Sequence, residues 1–207
     1  MSMQQQTPQV AEPSPQKLAL SVAFAGLISG LVIISIFEAT LPTITANKAA
    51  ELKAAVFKVL PGVASMKKLQ YSDGGLSERT QEGADEDTVY GGYNQQGDLV
   101  GYAVAGEGPG FQDTIKLLYG YLPEQRKIVG MEILDSRETP GLGDKIFKDK
   151  DFVANFDGLA VDPQIKAVKK GSKSAPYEID AITGATISSK AVVRIINGAH
   201  AKWDKRL

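Results

Sequence analysis

The sequence predicts an α+β fold: an antiparallel sheet with packed helices, preceded by one N-terminal transmembrane helix. Three patterns predict it, namely an uncharged apolar run near the N-terminus, short apolar segments separated by turns in the middle, and an amphipathic helix pattern near the C-terminus. The predicted parts are a cytoplasmic tail, a membrane span, a juxtamembrane helical region and a folded domain, at residues 1–17, 18–38, 39–71 and 72–207.

Composition excludes several kinds of site. The chain has 23 basic and 24 acidic side chains and a net charge of -1, so nothing suggests a nucleic-acid partner. Cysteine is absent and histidine occurs once, at His200, which excludes thiolate metal sites, disulfides and a Cys-His catalytic pair. Any redox chemistry in this chain therefore needs an organic cofactor.

The first part of the chain joins a polar tail to an apolar run. Residues 1–16 are rich in glutamine and proline, which predicts a flexible tail with too little apolar surface to fold alone. Leu18–Phe37 is uncharged and about 30 Å long at helical rise, the thickness of the hydrocarbon core of a bilayer. A cleaved signal peptide is the alternative, but its apolar core would be only roughly 7 to 15 residues long. An uncleaved anchor is therefore predicted, and Lys17 favours a cytoplasmic N-terminus.

Two glycines in the apolar run suit contact with another membrane helix. Gly26 and Gly30 lie one helical turn apart, with Ala25 and Ser29 beside them, so one face is nearly free of side chains. Glycines are also common in lipid-facing spans, so a helix with incidental glycines stays an equal alternative.

A juxtamembrane helix and a run of hairpins are predicted next. Pro42 is expected to end the anchor, and apolar residues at helical spacing continue to Pro61. Residues 72–87 are polar and contain glycine, which indicates a loop. Gly106–Gly110 is interpreted as a strand-connecting loop, with ligand contact as the alternative. The predicted strands are Thr88–Tyr93, Leu99–Ala105, Thr114–Leu122 and Lys127–Leu134.

Helical and extended segments follow the hairpins. Ile165–Val168 begins another strand, and His200 is interpreted as a surface or packing residue because no Asp or Ser accompanies it in a catalytic order. A short helix on the core is indicated by Phe147, Phe152, Phe156 and Leu159. A longer amphipathic helix is indicated by Ala191, Val192, Ile195, Ile196 and Ala199.

The stretch Asp180–Ser189 gathers hydroxyl groups at the predicted start of the long helix. A strand ending at Ile182 is expected to run through a turn at Gly184 into the helix, where free amides favour a phosphate. An N-cap with nothing bound is the alternative, because Ser and Thr are ordinary caps. The hydroxyls concerned belong to Thr186, Ser188 and Ser189. Shortly before this stretch come Lys169, Lys170 and Lys173, either a solvated face or charge partners for that phosphate.

A second glycine-containing motif ends the predicted sheet. Thr139 and Pro140 start a turn, and Gly141 and Gly143 allow backbone to approach a flat ring without side-chain bulk. Without a ligand, the same segment is a structural glycine loop.

The two motifs, in this order, resemble those of the FMN-binding subunits of bacterial ion-translocating respiratory complexes. Glu138–Gly143 reads ETPGLG, and Asp180–Ser188 reads DAITGATIS, similar to the family pattern Asp-x-x-Ser/Thr-Gly-Ala-Thr-x-Ser/Thr. These subunits are the G subunit of the Rnf-type ferredoxin:NAD oxidoreductase and the related C subunit of the sodium-pumping NADH:quinone reductase. The resemblance covers nearly the whole chain, including the single anchor, and the length is closer to the Rnf-type member.

The resemblance implies one covalently bound FMN. A flavin transferase would join its phosphate to the hydroxyl of Thr186, within a recognition sequence that starts at Asp180. Related sequences often carry a His just before the first motif, where this chain has Ser136 and Arg137, so the polar surroundings of the ring stay open. The predicted cofactor contacts are Glu138, Thr139, Gly141, Leu142, Lys169, Thr183, Gly184, Ala185, Thr186, Ser188 and Ser189.

By the same resemblance, the chain is an electron-transfer subunit that is not catalytically complete alone. It would relay single electrons among other membrane subunits, with its domain on the outer, periplasmic face of the cytoplasmic membrane and no freely diffusing substrate. The alternatives are the equivalent subunit of a sodium-translocating NADH:quinone reductase, a membrane-tethered binding or scaffold domain without cofactor, and a free-standing reductase.

Overall fold

A computed structural model describes residues 14–72, 74–79 and 87–207, and the chain divides into two compact units between Lys48 and Ala49. The predicted tail lies mostly outside the described residues. The helices are α1 (Pro15–Val59), α2 (Lys145–Lys148), α3 (Lys150–Ala154) and α4 (Thr186–Trp203). The strands are β1 (Ser65–Ser72), β2 (Gly75–Glu78), β3 (Thr88–Tyr93), β4 (Leu99–Pro109), β5 (Thr114–Leu122), β6 (Lys127–Asp135), β7 (Leu159–Ala160), β8 (Lys166–Val168) and β9 (Glu178–Asp180).

The first unit is helical, and its apolar side chains are exposed. Leu18–Phe37 lies within α1, and among the described residues α1 is the one helix that is long and apolar enough to cross a membrane. The prediction that Pro42 ends the helix is wrong, because α1 continues through it to Val59. Proline removes the single hydrogen bond to the carbonyl four residues earlier, and a long helix tolerates that loss where its other bonds persist.

The second unit is built on a seven-stranded sheet, and the α+β prediction is confirmed. Its strand order is β2-β1-β3-β4-β5-β6-β7, with every neighbouring pair antiparallel. The strands β3 and β5 have the predicted bounds. A separate parallel pair, β8 and β9, precedes α4.

Both faces of the sheet are covered, because alternate strand residues point to opposite sides. The buried end of α1 covers one face, where Val56 and Val59 pack with Tyr90, Ala103 and Leu118. The other face packs against α4, and its buried strand residues include Val89, Val104, Leu117, Tyr119 and Tyr121. The sheet is therefore the middle layer of the domain.

Two parts of the sheet differ from the prediction. Residues 65–78, expected to be helical or looped, contain the hairpin of β1 and β2. Its residues are mostly polar and at least partly exposed, so no strand alternation is visible in the sequence. Residues 73 and 80–86 of the predicted loop lie outside the described residues. The prediction of a loop at Gly106–Gly110 is wrong for its first four residues, because β4 runs to Pro109. A Cβ on Gly106 or Gly108 would lie 2.9 Å from the side chain of Ile195, so these glycines make room for α4.

The C-terminal half follows the predicted elements closely. The aromatic segment forms two short helices, α2 and α3, and Phe152 and Phe156 are buried with rings in edge-to-face contact. The packing role of His200 is confirmed, since its ring meets Tyr121 edge-to-face with centroids 4.9 Å apart. The strand before the glycine turn ends at Asp180, two residues earlier than predicted.

Candidate functional site

The turn between β9 and α4 is closed by the hydroxyl of Ser189. This hydroxyl donates to the carbonyl of Ala185 at 2.9 Å and accepts the backbone amide of Ile182 at 3.1 Å. The amide of Ala185 also donates to the carbonyl of Ile182 at 3.0 Å. Gly184 has a φ of 85°, a left-handed conformation that glycine adopts without strain. These contacts hold the second motif in one conformation.

Thr186 is the first residue of α4, and its side chain is exposed. Its Oγ1 lies 3.4 Å from the carbonyl oxygen of Ile182, a long hydrogen bond. Ala185 occupies the capping position and provides no side-chain cap for the first amides of the helix. These amides and the helix macrodipole attract anions. The exposed hydroxyl therefore stands at a helix end that favours a phosphate, beside Thr183, which is exposed as well.

The other two hydroxyls of this motif are buried. Ser188 is 3% exposed and Ser189 is 0% exposed, and both hydroxyls bond within the protein. They lie on the face of α4 that carries Val192, so extending the helical periodicity back by one turn would have placed them in the core. The prediction that they contact a cofactor gains no support from this geometry.

A buried carboxylate links the first motif to α4. Glu138 is 5% exposed, and its Oε2 accepts the hydroxyl of Ser188 at 2.5 Å. Its Oε1 accepts the amides of Phe111 and Gln112 at 2.9 Å each, and that of Asp113 at 3.5 Å. One side chain thus joins the loop before β5, the first motif and the first turn of α4.

The surroundings of Glu138 favour its ionised form. Burial raises the pKa of this carboxyl, but the hydrogen bonds from the Ser188 hydroxyl and from the amides of Gln112, Phe111 and Asp113 together outweigh it. The pKa of Glu138 therefore lies below its usual value. The resulting negative charge faces the N-terminal turn of α4, where a helix macrodipole stabilises an anion.

Two glycines allow the backbone to enclose this carboxylate. A Cβ on Gly110 would collide with Oε1 of Glu138. A Cβ on Gly143 would lie 2.5 Å from Oε2 of Glu138 and 3.0 Å from Oγ of Ser188. The second glycine of the first motif therefore serves the packing of Glu138.

The two motifs meet at Leu142. A Cβ on Gly184 would lie 3.9 Å from Cδ2 of Leu142, so this side chain lies beside the glycine turn. Leu142 is 50% exposed, and its amide donates to the carbonyl of Thr139 at 3.1 Å in a turn where Gly141 has a φ of 78°. Leu142 thus presents an apolar surface next to the turn that leads to Thr186.

Phe111 is an exposed aromatic residue at the same carboxylate that the sequence patterns did not identify. Its side chain is 64% exposed while its amide is held by Glu138. The neighbouring Gln112 accepts the hydroxyl of Thr139 at 2.8 Å, which ties this loop to the first motif a second time. A bulky apolar residue directly after the Gly106–Gly110 segment was the signal that could have identified it.

Asp180 supports a turn next to the second motif. Its Oδ1 accepts the amides of Gly171, Ser172 and Lys173 at 2.9, 3.2 and 3.2 Å. Lys169 is exposed just before this turn. Contact between Lys169 and a phosphate stays a prediction.

Comparison with known proteins identifies the domain and the family. The FMN-binding domain family matches residues 110–201, which include both motifs. The G subunit of the ion-translocating oxidoreductase complex of Methanosarcina acetivorans is 28% identical over 88% of this chain and 91% of its own length. The corresponding G subunit of Cereibacter sphaeroides is 32% identical, over 93% and 85% respectively. The G subunit of the proton-translocating ferredoxin:NAD(+) oxidoreductase complex of Clostridium ljungdahlii is 32% identical, over 76% and 85%.

A solved structure supports the fold independently. The crystal structure of Shewanella oneidensis NqrC matches 73% of this chain and 91% of its own chain, with a TM-score of 0.60 and 18% identity. The antiparallel sheet, the domain match over both motifs and the long sequence match to a G subunit all indicate the same family. The chain belongs to the family of G subunits of ion-translocating oxidoreductase complexes and contains its FMN-binding domain.

Proposed function

We propose that this chain is the flavin-carrying electron-transfer subunit of a membrane-bound, ion-translocating ferredoxin:NAD oxidoreductase complex, with one FMN joined through its phosphate to Thr186. The observation that carries the proposal is the exposed hydroxyl of Thr186 at the uncapped start of α4, inside an FMN-binding domain. The names of the relatives from Clostridium ljungdahlii and Cereibacter sphaeroides support the complex.

The residues around Thr186 fit the two ends of an FMN. Helix amides and the helix dipole suit the phosphate, because they stabilise negative charge without a buried cation. The exposed side chains of Leu142 and Phe111 suit an aromatic ring, since apolar surface gains free energy when a ring covers it. Thr139, Gly141 and Gly184 would line the space between them, and Lys169 would add a positive charge.

Attachment requires an activated donor and a flavin transferase, because a free phosphate and an alcohol do not condense in water. The bond from Oγ1 of Thr186 to phosphorus forms as the phosphoanhydride bond of a flavin dinucleotide breaks. A nucleoside monophosphate leaves, and the hydroxyl proton passes to a base on the transferase. Nothing is oxidised or reduced in this step.

A covalent link suits an electron relay. FMN supplies one-electron transfer, and the protein supplies position and electrostatics. Because the link is at the phosphate, the cofactor stays bound between electron transfers while its ring surroundings are set by the domain. Electrons would enter and leave through neighbouring membrane subunits of the complex, and no freely diffusing substrate is needed.

The apolar part of α1 would anchor the subunit in the cytoplasmic membrane as a single span at residues 18–38. Its uncharged side chains are exposed, as lipid contact requires. Lys17 on the N-terminal side favours a cytoplasmic N-terminus, which puts the FMN-binding domain on the periplasmic face. A protease added to intact cells whose outer layer is permeabilised should cut the domain; complete protection would contradict this orientation.

Intact mass spectrometry tests the covalent cofactor. The chain produced together with a flavin transferase should carry the added mass of one FMN, and Thr186→Ala should remove both this mass and the flavin fluorescence in a denaturing gel. Ser172→Ala is the control, because Ser172 is also an exposed residue with a hydroxyl group but lies outside the second motif. A correctly folded, colourless wild-type chain would instead favour a tethered domain without cofactor.

A further inference from the structure

We propose that Glu138 is a positioning residue: its carboxylate holds Thr186 and the exposed apolar side chains Phe111 and Leu142 at fixed places relative to one another, without touching the flavin. This inference rests on the proposed attachment of FMN to Thr186. It replaces the predicted contact between Glu138 and the cofactor with a different role for the same side chain.

The carboxylate of Glu138 is occupied by protein donors. Oε1 accepts three backbone amides and Oε2 accepts the hydroxyl of Ser188. The residue is 5% exposed, and Gly110 and Gly143 close around the two oxygens. A ring lying against Leu142 would therefore meet little of this carboxylate.

On one side, Glu138 controls the first turn of α4. Its partner Ser188 is the third residue of the helix, two positions after Thr186. The bonds of Ser189 to Ile182 and Ala185 hold the turn that precedes the helix. Together they fix where the turn ends and how the helix starts, which sets the direction of the Thr186 side chain.

On the other side, Glu138 controls the apolar surface. The amides of Phe111 and Gln112 bond to Oε1, and the side chain of Gln112 accepts the hydroxyl of Thr139. The carbonyl of Thr139 then accepts the amide of Leu142. A continuous set of hydrogen bonds thus runs from Ser188 to both exposed apolar residues, so the distance from tether to ring surface is set by one carboxylate.

The structure provides a matched control for this role. The hydroxyl of Ser174 donates to Oε2 of Glu178 at 3.0 Å, and this carboxylate also accepts the amides of Ser174 and Ala175. Ser174→Ala removes the same kind of hydrogen bond as Ser188→Ala, but in the loop before β9. The two variants therefore separate loss of a serine–carboxylate bond in general from loss of the bond at α4.

The experiment measures the rate of FMN incorporation into the full chain by intact mass, with flavin transferase and flavin dinucleotide, for wild type, Ser188→Ala and Ser174→Ala. A displacement of a reacting group by about 1 Å can slow a reaction by up to about 100-fold, so Ser188→Ala should incorporate FMN at least about tenfold more slowly. Ser174→Ala should match the wild type. In modified protein, Ser188→Ala should also lower the fluorescence anisotropy of the flavin, because its ring is held less firmly.

A second pair of variants separates geometry from charge. In Glu138→Gln the amide oxygen can still accept the loop amides, and the amide nitrogen can donate to Oγ of Ser188. The rate of FMN incorporation should therefore stay within about threefold of the wild type, and the flavin anisotropy should stay close to the wild-type value. Glu138→Ala should lose both. Equal rates in the wild type and Ser188→Ala, or equal losses in Glu138→Gln and Glu138→Ala, would overturn the positioning role. A wild-type chain that takes up no FMN would instead overturn the proposed function on which it rests.

Discussion

Gly120 and Gly130 lie directly under the end of α1. A Cβ on Gly120 would overlap the carbonyl oxygen of Val59, and a Cβ on Gly130 would lie 2.9 Å from the same oxygen. The last turn of α1 therefore rests on the bare backbone of β5 and β6. Neither residue has a positive φ, so glycine is not needed for its backbone conformation. It is needed because the backbone of Val59 leaves no room for a Cβ.

The substitution Gly120→Ala should lower the free energy of unfolding by about 1–3 kcal/mol, since the new methyl group has a backbone carbonyl as its neighbour and backbone cannot give way cheaply. Urea denaturation of the chain in detergent measures this. Gly198→Ala is the control: nothing lies within 4 Å of its added Cβ in α4, so it should stabilise the protein by about 0.5–1 kcal/mol. A neutral Gly120→Ala would show that α1 does not pack here.

The depressed pKa of Glu138 predicts a specific loss of stability in acid. A carboxyl with a lower pKa in the folded state stabilises the protein fully above its unfolded pKa of about 4.3, and this contribution disappears as the pH falls through the folded value. The stability difference between wild type and Glu138→Gln should thus shrink below about pH 4. Unfolding free energies measured across that range test this, and a difference that is independent of pH would contradict it.

At the residue level, part of the site was accessible from sequence. The place of Thr186 at the start of the long amphipathic helix was predicted from the sequence, and the structure agrees. The partner of Glu138 was not accessible, because Ser188 lies 50 positions away and only packing brings the two together. Phe111 was missed although its place directly after the Gly106–Gly110 segment is visible in the sequence; only its backbone bond to that carboxylate needed the structure.

At the level of elements, the hydroxyl of Ser189 makes two of the hydrogen bonds that hold the junction of β9 and α4. Ser189→Ala would leave the amide of Ile182 without its partner in a buried turn, and it should lower the free energy of unfolding by about 1–3 kcal/mol. Chemical denaturation gives this value. Ser172→Ala is a suitable control, since Ser172 is exposed and bonds to Asp180 through its backbone amide. Equal stability of both variants would rule out a structural role for the Ser189 hydroxyl.

The strands of the sheet were predictable where a short run of apolar and β-branched residues is bounded by turns, as in β3 and β5. The hairpin of β1 and β2 was not, because β1, SMKKLQYS, carries polar residues on both faces and the edge strand β2 has only four residues. The extension of β4 through Gly106 and Gly108 was missed for another reason. Glycine is needed there because the side chain of Ile195, in a helix far along the chain, leaves no room for a Cβ. Local sequence patterns take glycines as a sign of a loop, so they could not show this.

For the whole molecule, the two compact units predict how the chain can be divided. A fragment of residues 49–207 retains the end of α1 that covers one face of the sheet, and it should fold and stay in the aqueous phase. A fragment that begins at Gly62 lacks Val56, Val59 and Leu60, all 0% exposed, so its sheet would expose an apolar face. Detergent phase partitioning measures whether each fragment stays in the aqueous phase, and circular dichroism measures whether it is folded. Cooperative unfolding of the shorter fragment at the same midpoint would contradict the role of α1.

The bond between Glu138 and Ser188 also has a consequence for timing during biosynthesis. Its two ends are 50 positions apart, so the carboxylate leaves the ribosome well before the helix that completes its surroundings. Until α4 arrives, the loop amides at Phe111 and Gln112 can be gathered but the threonine is not yet presented. Under the proposed attachment of FMN to Thr186, a chain that is misfolded at its sheet would offer no ordered acceptor hydroxyl, so only correctly folded subunits would receive the cofactor.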